Sequence, residues 1–470
     1  MDTVSLSAAE IAAVTGGRVN SGDPAHRIER WSIDTRSLHP GDLFVAIRGE
    51  RFEGHEFVAA ALAAGAVGAV VTATPALPEA GKAGLAPLLI QVADTTRALQ
   101  QAAREVRRRS GAKVVAITGS AGKTTTKELT AEFLSAKYTV FRNRGNLNNH
   151  IGLPLSLLEL RSRPDVAVVE LGMNHPGEIR TLVGVAEPEV RVWTNVGDAH
   201  VGFFESSDAI ADAKGEILEQ ARPGDLLVAN ADDERIRARA RSFAGRTLTF
   251  GLSDAADVRA SAVEHRGLGG MAATVTAPVG QFRVETLLLG SGNLLNLLAA
   301  AAVAMEMGIA PDDIAQRAAK LQPASHRGEL LRLPGGITLI DDSYNSSPAA
   351  LKRSLETVAA ATGSARKIAV LGEMLELGGH AMQLHEQCGE AAARAGLGLL
   401  IAVGGDPAQR LAHAAVRAGL DPGAVLYAKT SDEAAELALG RVRPGDLVLV
   451  KGSRGIHTDL VVDRLKAEFA

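Results

Sequence analysis

Residues 117–128 read "ITGSAGKTTTKE". Within them Gly119 to Thr124 spell G-x-x-G-K-T, a phosphate-binding loop lacking the first glycine of the usual G-x-x-x-x-G-K-[ST]; Ile117 stands in its place. Glycines let backbone N–H groups turn toward phosphate oxygens, and a following helix adds the partial positive charge of its N-terminus. Lys123 offers a compact cation for the β- and γ-phosphates, and Thr124 a hydroxyl for Mg²⁺. Thr118, Ser120, Ala121 and Thr125 complete the stretch expected to surround the phosphates. The plain alternative is a glycine-rich turn with an exposed lysine.

Phosphate chemistry also calls for a metal held by carboxylates. "VAVVELGMN" ends an apolar run on Glu170, and "TNVGDAH" ends the next on His200. Alone, either is an ordinary solvated or structural residue; after strands near a phosphate loop, both become metal or phosphate candidates. Lys214, in "DAIADAKGEIL", reads on its own as a solvated helix lysine. "NRGNLNNHIGLP", residues 143–154, is dense in asparagine, which both donates and accepts and so suits sugars and amides as well as turns. Asn293 and Asn296 in "GSGNLLN" stand three apart on an apolar helical run and want a polar partner, a base among the options. "LIDDSYNSSP" sets Asp341 and Asp342 at a strand end, and "VKGSRG" adds Lys451, Ser453 and Arg454 in an anion-binding composition.

These groups need a scaffold of strands feeding loops. "AKVVAITG" is a β-rich run before the glycine loop, and a helix is expected from about Thr124. "DVAVVELG" and "VRVWTNVG" are further buried strands, each followed by helical periodicity, which implies a largely parallel sheet with helices on both faces. Residues 247–290 read as antiparallel segments before an apolar helix. After "LQPASHRGE", the strands "ITLIDD", "KIAVLGE", "LLIAVGG", "AVLYAK" and "DLVLVKG" form a second, doubly wound unit. Gly404 and Gly405 there read as a tight turn. The N-terminal part starts with a helical pattern at Ser7–Thr15, turns at "HPGD", runs through the strand "LFVAI" and ends at a charged, exposed "REVRRRSG". The expected fold is α/β in three domains: a small α/β domain at 1–108, a phosphate-loop domain with a parallel sheet at 109–325, and a Rossmann-like domain at 326–470. The length of 470 residues fits about three domains of about 150 residues each.

A net charge of −4 and 3% aromatic residues argue against a nucleic-acid partner. The single cysteine, Cys388, excludes an intrachain disulfide framework and fits a reducing cytoplasm. The apolar stretch "FVAAALAAGAVGAVVTATPALP" is built on Ala and Gly and ends in prolines, so a buried helix, turn and strand are expected rather than a membrane span.

In order and spacing, "SIDTRSLHPGDLFVAIRGERFEGHEF", "TGSAGKTTTKE", "NLNNHIGLPLSLL", "TNVGDAH", "AKGEI", "DDSYN" with Pro348, and "VKGSRG" resemble the Mur ligase family. Those ATP-dependent enzymes build the peptide of peptidoglycan precursors, and the shortened phosphate loop is the form the family uses. The resemblance implies that residues 118–125 hold ATP, with Asn293 at the adenine and Arg327 and Asp342 completing the nucleotide site. It implies two Mg²⁺ ions, one on Thr124 and Glu170 and one on His200 and a carbamylated Lys214. Lys123, Glu170, His200 and Lys214 would then be the catalytic set. Asp34, Thr35 and Arg36 would lie near a UDP group, Asn146 and Asn149 near a muramoyl-peptide channel, and Lys451 and Arg454 against substrate. The resemblance is nearest to the branch that joins D-alanyl-D-alanine to UDP-N-acetylmuramoyl-tripeptide through an acyl phosphate, and a cytoplasmic monomer is expected. The alternatives are an amide ligase acting on an earlier muramoyl precursor or on folate, and a nucleotide switch without ligation. The family's adenine motif often reads G-x-H-N; here Gly292 precedes Asn293.

Overall fold

Strands form where the sequence offers short β-branched runs bounded by glycine or polar turns, and helices where capping residues precede apolar periodicity. In a computed structural model that describes residues 3–49, 52–74, 86–197 and 201–469, the chain divides into two compact units. The first comprises residues 1–116, 137–191 and 219–225; the second comprises 117–136, 192–218 and 226–470.

In the first unit, helix Ala8–Thr15 starts at Ser7, whose side chain accepts from Glu10 N–H while Glu10 reaches back to Ser7 N–H. This reciprocal cap satisfies two orphan donors of the first turn. A five-stranded sheet runs Arg18–Ser21, Leu88–Gln91, Gly68–Val71, Leu43–Val45, Trp31–Ser32. Its first pair is antiparallel and the rest parallel. Phe44, Ala46, Val58, Ala61, Ala69, Val71 and Leu89 form its core. The Ala/Gly stretch is thus helix Val58–Ala63 and strand Gly68–Val71, though residues 75–85 lie outside the described residues. Strand Val166–Glu170, buried throughout, pairs in parallel with Val140–Arg142.

The expected exposed end at "REVRRRSG" is corrected. Residues 95–110 form one continuous helix, Thr95–Ser110. Arg107 is buried, donating to the Ala186 and Glu187 carbonyls and to Glu189, while Arg104 and Arg108 converge on Glu187. The arginines had partners about eighty positions downstream, which a local reading of charge does not reveal.

In the second unit, Leu226–Asn230, Arg246–Gly251 and Val258–His265 pair in parallel, and Val258–His265, Met271–Ala277 and Gly280–Thr286 continue the sheet antiparallel. The segment from 247 therefore begins with a strand of the parallel part, not an antiparallel one. Helix Ser291–Glu306 follows, buried along most of its length. A six-stranded sheet runs Glu329–Leu333, Ile337–Asp342, Asp446–Lys451, Arg366–Gly372, Leu399–Val403, Val425–Ala428. Five of these were expected; the edge strand Glu329–Leu333, antiparallel to its neighbour, was not. It is only partly buried and lacks the continuous apolar run that marks the others. Among the described residues, no helix is long and apolar enough to cross a membrane.

Candidate active site

The phosphate loop lies in the second unit, between the strand ending at Thr118 and helix Lys123–Leu134. Gly122 caps that helix at φ 80°, a left-handed conformation open to glycine, and provides no capping side chain. At Gly119 an added Cβ would meet Thr194 Oγ1 at 1.9 Å, and at Gly122 it would meet Asn296 Oδ1 at 2.2 Å. Both glycines are required by close approach of neighbouring segments.

The loop is clamped from "TNVG". Ser120 N–H donates to the Asn195 carbonyl (3.0 Å) and Ala121 N–H to Asn195 Oδ1 (2.9 Å). Asn195 Nδ2 and Thr194 Oγ1 each donate to the Ala121 carbonyl at 2.9 Å. Ser120 Oγ bonds Gly197 in both directions. The N–H groups of Ser120 and Ala121 are therefore already used, whereas that of Gly122 makes no hydrogen bond among the described residues. Lys123 arches back, its Nζ donating to the Gly119 carbonyl at 2.8 Å. A flexible ammonium pinned over the loop in this way is placed to exchange a carbonyl for phosphate oxygens. The shortened loop fits a polyphosphate: an uncapped helix N-terminus, two glycines without room for a side chain, and a cation folded over them.

Sequence reading missed Thr194 and Asn195, because their contact is with a segment some seventy residues away. It also gave Asn296 an open partner; its partners are Thr126, in the helix that follows the loop, and its own neighbour Asn293. Asn296 Oδ1 accepts from Thr126 Oγ1 (3.2 Å) and its Nδ2 donates to Asn293 Oδ1 (3.2 Å), while Asn293 Nδ2 donates to the Leu289 carbonyl. Asn293 is half-buried one helical turn from the loop contact.

Elsewhere in the second unit, the ends of strands Ile337–Asp342 and Asp446–Lys451 meet. Asp342 accepts from Lys451 Nζ at 2.7 Å and from Ser354 Oγ at 2.8 Å. Lys451, itself buried, also donates to the Asn345 carbonyl. Asp341 is 1% exposed and bonded by His326 Nδ1 and Ser343 Oγ. The guanidinium groups of Arg327 and Arg454 lie 4.0 and 5.1 Å from the centre of the Tyr344 ring. Arg327, Asp342, Lys451 and Arg454 are thus brought together with Tyr344, which the sequence reading had not singled out. Lys214 sits in the last turn of helix Ser207–Gly215 and is 1% exposed, not the solvated residue its sequence suggested. His200 lies outside the described residues.

In the first unit, Glu170 ends its strand buried at 4% exposure. Asn148 Nδ2 donates to Glu170 Oε1 at 2.7 Å, and Asn143 Oδ1 accepts from Glu170 N–H. Asn149 accepts from the N–H groups of Ile151 and Gly152, and Asn146 is exposed. The residue of this cluster that reaches Glu170 is Asn148, which the sequence had not singled out. Asp34 takes a bidentate bond from Arg36, which holds its carboxyl down at about 2. Arg36 is exposed and paired with its neighbour, and Thr35 is half-buried beside them. Thr124 is half-buried in the first turn after the loop. Its hydroxyl, and the Glu170 carboxylate oxygens, are hard donors of the type Mg²⁺ takes. Among the described residues no group of three or more His, Cys, Asp or Glu side chains forms a metal cluster.

Three family models match the chain in succession. They are the Mur ligase family catalytic domain at residues 27–107, the Mur ligase middle domain at 117–304, and the Mur ligase glutamate ligase domain at 326–454. The chain is 32% identical over 440 residues, 92% of each chain, to the UDP-N-acetylmuramoyl-tripeptide–D-alanyl-D-alanine ligase of Bacillus subtilis. It superposes on a crystal structure of MurF from Acinetobacter baumannii with a TM-score of 0.87 at 31% identity, covering 99% of this chain and 100% of that one. The MurF ligase of Thermotoga maritima, solved in complex with ADP, matches with a TM-score of 0.82 at 29% identity over 94% and 98% of the two chains.

Proposed function

The chain belongs to the Mur ligase family, and from that premise we infer that it joins D-alanyl-D-alanine to UDP-N-acetylmuramoyl-tripeptide, converting ATP to ADP and phosphate. The observation that carries this is the full-length likeness to ligases of that name, joined to a phosphate loop built for a polyphosphate. The reaction places it in peptidoglycan precursor synthesis, as an ATP-dependent ligase with an α/β, three-domain architecture. We propose that the domains are 1–108, 109–325 and 326–470, and that the protein acts as a cytoplasmic monomer.

In the proposed reaction the terminal carboxylate of the tripeptide attacks the γ-phosphorus of ATP. The P–O bond to ADP breaks, and an acyl phosphate forms. The amine of D-alanyl-D-alanine then attacks the acyl carbon, loses a proton, and expels inorganic phosphate as the amide forms. Two anions must approach in the first step, so positive charge at the phosphates decides its rate. Lys123 supplies such a charge by leaving the Gly119 carbonyl for the phosphates, while the first turn of helix Lys123–Leu134 orients them. Asn195 and Thr194 keep the loop backbone fixed while this happens. Thr124, Glu170, His200 and Lys214 as its carbamate are the proposed magnesium ligands, and the ions when bound would neutralise phosphate charge. Asn293, Arg327 and Asp342 are proposed nucleotide contacts. Asp34, Thr35, Arg36, Asn146, Asn149, Lys451 and Arg454 are proposed on the substrate side.

The test is phosphate release from ATP with UDP-N-acetylmuramoyl-tripeptide and D-alanyl-D-alanine, each omitted in turn. Release is expected only with all three present. Equal release with L-alanine, D-glutamate or a diamino acid in place of the dipeptide would overturn the assignment.

A further inference from the structure

Helix Ser291–Glu306 is tied to the phosphate loop through Asn296, which bonds Thr126 and crowds Gly122. One turn nearer its N-terminus, about 5.4 Å along the axis, are Gly292 and Asn293. The start of this helix therefore lies about one turn from the residues that would hold the phosphates, within reach of the nucleoside attached to them. Over that point lies Arg353, from helix Pro348–Ala360 in the same compact unit. A Cβ built on Gly292 would come within 3.1 Å of Arg353 Nε, 3.2 Å of Cδ and 3.7 Å of Cζ. The arginine thus fills the volume that a side chain at position 292 would take, and the absence of one admits it.

The placement is costly as it stands. Arg353 is half-buried, and among the described residues its guanidinium makes no hydrogen bond or ion pair, whereas both neighbours are engaged. Lys352 Nζ bonds Gln387 Oε1 at 3.0 Å, and Ser354 Oγ bonds Asp342. Helix Ser291–Glu306 begins at Gly290 with no side-chain cap, so its positive end faces the same region. Burial holds the guanidinium below its ordinary range, and the charges of Glu356 and Asp342 offset this in part. A planar cation left unpaired beside a helix N-terminus calls for an electron-rich partner. A purine supplies a π face and ring-nitrogen acceptors, and Asn293 stands next to Gly292 to read its edge.

We infer that Arg353 is a nucleobase-contacting residue, its guanidinium closing over the purine of ATP at the start of helix Ser291–Glu306. This rests on the reading that the loop takes ATP, and the test keeps the two separable. Binding of ADP and of inorganic tripolyphosphate, which has no base, is measured by calorimetry on the full chain and on R353M and R353K, with melting temperature as a check on folding. The expected result is ADP binding about tenfold weaker in R353M and at least threefold weaker in R353K, with tripolyphosphate affinity unchanged in both. ADP affinity unaltered in R353M overturns the inference, as does an equal loss for tripolyphosphate, which would make Arg353 a phosphate ligand. Wild-type affinity in R353K would also overturn it, since charge without the planar face would then suffice. If R353M fails to fold, R353K alone decides. Absence of ADP binding by the wild type would overturn the inference together with the reading beneath it, whereas ADP binding without dipeptide-dependent phosphate release would remove the ligase reading alone.

Discussion

Gly122→Ala probes the phosphate loop where it is most constrained. Residue 122 sits at φ 80°, and an alanine held there costs about 1–2 kcal/mol of backbone strain. Its Cβ would also stand 2.2 Å from Asn296 Oδ1 and 2.9 Å from Cγ, so the amide must withdraw. Withdrawal breaks the bonds to Thr126 and Asn293, each 3.2 Å long, at about 1 kcal/mol apiece. The sum, about 3–4 kcal/mol, falls on the loop conformation that receives phosphates and predicts ADP binding weaker by about 100- to 1,000-fold. Calorimetric titration with ADP reads this directly, and thermal melting shows how much of the cost is instead taken by the fold. Asn296→Ala removes the obstructing amide, so Gly122→Ala in that background should cost only the strain, leaving a coupling of about 2 kcal/mol in the double-mutant cycle. Unchanged ADP affinity in Gly122→Ala, or simple additivity in the cycle, would refute the packing account.

Three further outcomes follow from other parts of the chain. Lys214→Ala should lose activity that short carboxylic acids partly restore; no rescue, with an unmodified lysine by mass spectrometry, would count against the carbamate. Asn148→Ala removes the 2.7 Å donor to Glu170 and should raise the Mg²⁺ concentration for half-maximal activity about tenfold, whereas an unchanged requirement would remove its positioning role. Glu187 bears on stability rather than activity. Its carboxyl is lowered to about 2, first by the Arg108 hydrogen bond and further by Arg104, while burial opposes the shift. A group with a depressed folded value stabilises above its unfolded value and loses that contribution as pH falls, here between about 4.5 and 2. The arginines are nearly half exposed, so screening leaves about 1 kcal/mol of the contribution. Denaturant melts of Glu187→Gln should lie below wild type at pH 7 and converge with it near pH 2; a constant gap would contradict the linkage.

What the sequence made legible was contiguous. The shortened loop, the strand before it, the helix after it and the strand-end Glu170 could each be read within a window of ten or so residues. Contacts that close over long separations could not. Thr194 and Asn195 clamp the loop from another strand end, and Arg353 reaches Gly292 from a different helix. Arg107 looked like surface because its carbonyl and carboxylate partners lie far downstream. The asparagine cluster marks an intermediate case. Its composition announced a polar site, but that Asn148 is the residue facing Glu170 depends on the turn before Ile151, which composition does not show. The edge strand Glu329–Leu333 escaped for a related reason: a half-buried edge carries a weaker apolar signal than a central strand.

Isotope transfer tests the central claim most directly. UDP-N-acetylmuramoyl-tripeptide labelled with ¹⁸O in both oxygens of its terminal carboxylate is incubated with ATP and D-alanyl-D-alanine, and the phosphate and peptide are weighed by mass spectrometry. If ATP activates that carboxylate as an acyl phosphate, inorganic phosphate carries one ¹⁸O and the new amide keeps the other, and neither product forms without the dipeptide. Unlabelled phosphate beside a fully labelled tripeptide would contradict the account.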